Sequence, residues 1–225
     1  MSASPARTVS VEASRLARWV AGFGDRHGGF EWAGSAAGFT LLGADGERAE
    51  GVLPYPPWSG GTLDDAEAHL KATRRTVVLI VRRGGYACAV VQHGPPGAEI
   101  TASKVGSRHV QGRTAAGGWS QQRFARRRAK QADELVHAVA EHAARLLVPA
   151  VDPSVWLATG GDKPLVGEVL GDPRLTPLTR LSTWGHMAVG DPDRRLVEAL
   201  PGRLTAVPVT LFPPPTPDNQ PPTTR

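Results

Sequence analysis

Residues 112–131 read GRTAAGGWSQQRFARRRAKQ, a stretch of small residues that opens into a run of basic ones. The pair Gly117 and Gly118 gives the backbone conformations closed to other residues and lets a ligand come close to the chain. A helix starting directly behind them would present unpaired N–H groups and the positive end of its dipole, both favourable to phosphate or to a developing oxyanion. Ser120 is the expected N-cap of that helix. Taken alone, two glycines before a helix are more often simple punctuation, and it is the neighbouring residues that give them chemical weight.

Those neighbours are cationic. Residues 104–130 hold eight of the 26 Lys and Arg residues and none of the 21 Asp and Glu residues, so the formal charge of +5 on this 225-residue chain is concentrated in one stretch. A solvated face mixes its signs, whereas a single-sign patch is the footprint of a phosphate-binding surface. Arg113, Arg123, Arg126, Arg127 and Lys130 are expected to hold nucleic-acid phosphates, a role that needs charge and reach rather than exact register.

With its flanks the segment resembles the middle domain of eukaryotic and archaeal class I release factors, whose motif runs GGQSALRFARLR. Residues 117–128 run GGWSQQRFARRR, so Gly117, Gly118, Ser120, Arg123, Phe124, Ala125, Arg126 and Arg128 match without a gap. It is more similar still to the Vms-like release factors, particularly their actinobacterial branch, which combine an upstream His-and-Arg loop, here Arg108 and His109, with a displaced glutamine. The resemblance covers about residues 75–211 in element order. It implies an α/β fold of the ribonuclease H-like, release-factor middle-domain kind, with a mixed sheet and one long basic amphipathic helix, to which an N-terminal α+β elaboration is added. It also implies a peptidyl-tRNA hydrolase acting in ribosome rescue and quality control, a monomer whose partners are the large ribosomal subunit and peptidyl-tRNA, with no cofactor.

One departure matters. Trp119 stands where the release-factor glutamine would stand, and Gln121 and Gln122 follow two and three positions later. The resemblance extends the water-positioning role to Gln121 first and to Gln122 second, each being otherwise a solvated first-turn residue. Ester hydrolysis needs a placed water and stabilisation of charge on the carbonyl and ribose oxygens. An amide side chain carries both a donor and an acceptor, and so orients water without acting as a base. On this reading the backbone N–H groups of Gly117, Gly118 and Trp119 face the developing charge, and Trp119 either stacks on a base or ribose or anchors the helix.

The elements that must hold this segment follow from periodicity. The spacing predicts a helix over Val9–Gly24, strands over Phe30–Trp32 and Phe39–Leu42, a Pro- and aromatic-rich connection over Val52–Ser59, and a helix over Leu63–Thr73. Arg75–Arg82 and Tyr86–Gln92 are β-branched runs suited to a hairpin, with Glu99–Lys104 as a third strand. Ala125, Ala129, Ala132, Val136, Val139, Ala143 and Leu146 mark one amphipathic helix over Ser120–Val148. Strand Val155–Thr159, helix Lys163–Leu170 and return strand Leu175–Leu181 make a βαβ pattern, followed by helix Arg194–Leu200 and strand Leu204–Leu211. The expected division is residues 1–60 as part of the same globular unit, 61–211 as the α/β domain, and 212–225 as a disordered Pro-rich tail, with no second independent core.

Several classes fall away. The single Cys88 forms no internal disulfide and sits in an apolar run, as a core residue would. No stretch approaches the roughly 20 apolar residues of a membrane span, and Met1–Arg7 leads into a charged amphipathic segment rather than a signal-peptide core, so a cytoplasmic protein is expected. The histidines are scattered, with only His137 and His142 close together and at the wrong spacing for one helix face, so no metal is assigned. Asp64, Asp65, Glu67, Asp133 and Glu134 fall at solvated helix positions rather than converging as a nuclease would need. Gly160–Glu168 lacks P-loop spacing and reads as a strand-to-helix turn. The remaining rival is a non-catalytic ribosome- or RNA-binding factor that uses only the basic helix.

Overall fold

The computed structural model describes residues 6–95, 97–107 and 119–214, and for residues 119–129 the backbone alone. In chain order the elements are β1 (Arg7–Val11), α1 (Leu16–His27), β2 (Phe30–Ser35), β3 (Gly38–Gly43), β4 (Arg48–Val52), α2 (Leu63–Lys71), β5 (Arg74–Arg82), β6 (Gly85–His93), β7 (Glu99–Ser107) and α3 (Trp119–Leu146). There follow β8 (Trp156–Gly161), α4 (Lys163–Leu170), the single turn α5 (Thr176–Thr179), β9 (Ser182–Met187), α6 (Arg194–Glu198), α7 (Leu200–Thr205) and β10 (Val207–Phe212). They fall into two compact units, one comprising the chain up to Lys71 together with the residues from Gly202 onward, the other running from Ala72 to Pro201. This differs from the division expected at residues 60 and 211, because β10 pairs with β1 and β4 and so belongs with the N-terminal elements. Phe212, expected in the tail, is the last residue of that strand, and Arg48 lies over its ring at 4.5 Å.

The first unit is an antiparallel sheet in the order β1-β10-β4-β3-β2. Its inner face buries Val11, Val207, Val209, Ala49, Phe39 and Leu41 against Leu16, Val20 and Phe23 of α1 and Ala66 and Leu70 of α2. Val9 and Val11, expected in the first helix, are strand residues paired with Val209 and Val207. Their spacing of two is the strand period, and the helical spacing starts only at Leu16. The helix runs past Gly24, which is buried within it, and ends on Gly28 in the left-handed conformation at φ 71°.

The second unit is a mixed sheet in the order β7-β6-β5-β8-β9. The β5–β6 hairpin and its third strand β7 are antiparallel, as expected, while β8 lies parallel to β5 and β9 parallel to β8, with α4 as the crossover. The expected return strand over Leu175–Leu181 is instead a 3-10 turn at Pro173–Leu175 followed by α5. Leu175 and Leu178 are both fully buried at a helical spacing of three, and Pro173 and Pro177 have no N–H to give to a ladder. Gly160 and Gly161 do form the turn into α4. Gly161 has φ 87°, and a Cβ there would collide with the Val81 carbonyl. Each unit has its own hydrophobic core, so the expectation of a single core is corrected.

Helix α3 lies on the core side of the second sheet with Leu135, Val139, Ala140 and Ala143 buried, and Leu147 continuing the stripe just past its end. The buried stripe is rotated from the expected one, since Val136 and Leu146 are only partly buried. Cys88 is in this core, and burial pushes its thiol up to about 12. No described helix is long and apolar enough to cross a membrane.

Two expectations follow from this packing. Truncation after Thr205 removes an internal strand of the first sheet, so limited proteolysis should then digest the N-terminal 71 residues while Ala72–Pro201 stays protected. Equal protection of both units would contradict it. Burial, with Arg74 beside it, holds the His93 imidazole down at about 4 against an ordinary 6.5. Between those values the unfolded chain binds a proton that the folded chain does not. The His93 contribution is therefore constant above 6.5, and stability declines as pH falls from 6.5 toward 4. Tm measured across that range should fall more steeply for the wild type than for His93→Gln.

Candidate functional site

Strand β7 ends at Ser107 and α3 begins at Trp119. Arg108, His109, Arg113, Gly117 and Gly118, expected between them, lie outside the described residues. Trp119, Gln121 and Gln122 are placed in the first turn of α3, and Arg123, Arg126 and Arg127 in the turns behind it, with their side chains outside the description. Ser120 is the second helical residue rather than the cap. Lys130 is exposed on the same helix.

The described surroundings show how the two flanking elements are held. The β6–β7 ladder runs to its end with Tyr86 opposite Gly106 and Gly85 opposite Ser107. Paired residues in an antiparallel sheet share a face, and Tyr86, buried at 5% exposure, points to the face that carries α3. A Cβ on residue 106 would overlap Cε1, Cζ and Oη of Tyr86, so the phenol packs directly against the Gly106 backbone. The same ring stacks on His142 of α3, with centroids 5.5 Å apart and planes inclined by 17°. His142 Nδ1 is also 3.0 Å from Arg145 Nη2. Lys104, opposite Cys88, is exposed on this face of β7.

Neither Tyr86, Gly106 nor His142 was singled out by its local sequence. They meet through strand register and helix packing, and no short-range pattern encodes that. Gly106, two residues beyond the predicted strand Glu99–Lys104 and inside the observed one, was the one available signal.

Charge is divided along α3. Its first turn has no acidic residue, and the cations from Arg123 to Lys130 stand without an acid among them. Cations near a helix N-terminus add to the dipole instead of opposing it, so an anion from outside is what balances that end. Beyond Lys130 the signs mix. Asp133 and Glu134 are exposed, and Glu141 pairs with Arg145 at 3.3 Å. Asp172, beside this half of the helix, accepts two bonds from the Arg174 guanidinium at 2.9 and 2.7 Å. These bonds, then the Arg174 backbone N–H and the nearby charges of Arg174 and His137, hold the Asp172 carboxyl at about 2. Asp172, then Glu141, pushes the Arg174 guanidinium above its ordinary value. Among the described residues no three His, Cys, Asp or Glu side chains come together as a metal site would require.

A family model described as the Actinobacteria/chloroflexi VLRF1 release factor matches residues 74–210, from the first residue of β5 into β10. No curated protein matches the chain significantly. Among solved structures, the chain is similar to Archaeoglobus fulgidus Pelota, a protein noted for inter-domain structural plasticity, at 12% identity and a TM-score of 0.30. That match covers 91% of this chain and 66% of the Pelota chain, so the chain spans just under two thirds of its length.

Proposed function

The chain belongs to the Actinobacteria/chloroflexi VLRF1 release factor family, and on that premise we propose that it hydrolyses the ester joining peptide to tRNA on stalled or split ribosomes. The observation that carries the proposal is the run GGWSQQRFARRR, which falls inside the matched span and leads into the start of α3. In this reading the N–H groups of Gly117, Gly118 and Trp119 stabilise the developing oxyanion. Gln121, in the first turn, orients the attacking water, and Gln122 is the second choice for that role. Arg108, His109, Arg113, Arg123, Arg126, Arg127 and Lys130 bind RNA phosphates, and Trp119 stacks on a base or ribose. The acids from Asp133 onward limit the phosphate-binding part of α3 to the turns before them. The partners are the large subunit and peptidyl-tRNA, the protein acts as a monomer in the cytoplasm, and no metal or other cofactor takes part.

Trp119 at the position of the class I release-factor glutamine also supports a second reading, a factor that binds the ribosome without releasing peptide. One experiment separates the two. Purified protein is added to 50S complexes carrying peptidyl-tRNA, and association and free peptide are measured together. Release of peptide is expected, and association without release overturns the catalytic reading. Reversing Arg126 and Arg127 to Glu should abolish co-sedimentation with the 50S subunit while the thermal transition survives. Gln121→Ala should retain association but slow release by roughly 10² to 10³, the usual cost of losing one positioned polar group, with Gln122→Ala costing less. Wild-type release rates in both glutamine variants, together with loss in Gly118→Ala, would assign the chemistry to the backbone.

A further inference from the structure

We propose that Tyr86 is a positioning residue of this same site, clamping β7 to α3 and thereby setting the direction in which the helix carries its first turn; the inference rests on the functional reading above. The Tyr86 ring packs against the bare backbone of Gly106 and stacks on the His142 imidazole. Gly106 is in the strand that leads toward the Gly117–Gly118 segment, and His142 is in the helix that follows it. One buried side chain therefore joins the two described elements that flank residues 108–118.

The leverage comes from helix length. Among the described residues of α3 the buried ones begin at Leu135, and at about 1.5 Å per residue Trp119 lies about 24 Å further along the axis. His142 lies about 10 Å from Leu135 in the opposite direction. With Leu135 as pivot, a shift of about 1 Å at His142 moves the start of α3 by more than 2 Å. Misplacement by about 1 Å is enough to cost roughly 10²-fold where reacting groups must be aligned. Phosphate contacts made by long cationic side chains absorb such a shift. Loosening the clamp thus separates the chemical step from association.

The contact can be broken from each of its three sides. Tyr86→Leu removes the ring, Gly106→Ala drives a methyl group into it, and His142→Ala removes its stacking partner, while Tyr86→Phe and His142→Phe keep a ring in place. On 50S complexes carrying peptidyl-tRNA, the first three should slow release at saturating protein by at least about tenfold. Their half-saturating concentrations should change by less than twofold, and the two Phe variants should release at close to the wild-type rate. Activity in all five at the wild-type level overturns the proposal, as does a loss confined to association.

A second measurement is independent of activity. Nitroxides on Ser103→Cys in β7 and Lys130→Cys in α3 should give one narrow distance distribution by pulsed dipolar spectroscopy, and the distribution should broaden or shift in His142→Ala. That variant alters a partly exposed helix residue and leaves the core side chains in place. An unchanged distribution overturns the clamp even if the wild type releases no peptide. Absence of release by the wild type overturns only the functional reading.

Discussion

Strand β5 is buried without interruption from Thr76 to Val81 and is hydrogen bonded along both edges, antiparallel to β6 and parallel to β8. The rest of the second unit follows from that double ladder. A strand buried on both faces needs the β-branched run that Val77, Val78, Ile80 and Val81 supply. On its antiparallel side a short turn suffices, so β6 and then β7 follow directly and β7 becomes the edge strand. On its parallel side the chain must cross over, and α4 carries it from β8 to β9. Helix α3 links the two halves, running from the antiparallel edge toward β8, and its stripe from Leu135 to Leu147 shares a core with both.

The division of charge in α3 has a physical counterpart in its packing. Its second half is anchored by apolar contacts, and its exposed charges are matched by partners such as Arg145 for Glu141. Its first half concentrates cations at the positive end of the helix dipole. A folded protein keeps such an arrangement at some cost in self-repulsion, which an anionic partner offsets. Apolar anchoring and a run of unbalanced cations thus occupy different stretches of one helix.

What could be read from the sequence was what is local. The β5–β6 hairpin is marked by two β-branched runs around Gly84, α4 by its apolar spacing between Gly161 and Gly171, and the release-factor resemblance by the contiguous run from Gly117 to Arg128. What escaped depended on partners far along the chain. Val9 and Val11 fit both a helix and a strand until β10 is known to lie beside them. Ser182–Met187 has little hydrophobic alternation and is a strand because β8 offers it an edge. The contact of Tyr86 with Gly106 and His142 likewise spans strand register and tertiary packing, so no local pattern announces it.

The place of β10 has a consequence for how the protein is made. It is the second strand of the first sheet and the last of the described elements, whereas β1 to β4 precede the whole second unit. During elongation the N-terminal strands therefore emerge with the places opposite Val207 and Val209 empty, and the edges of β1 and β4 unpaired. The second unit, whose segments are consecutive, has all of its parts first. The usual N-to-C order of nascent folding is inverted: β1 to β4 wait for β10, and their sheet can close only after the intervening second unit and the segment through Phe212 have been made.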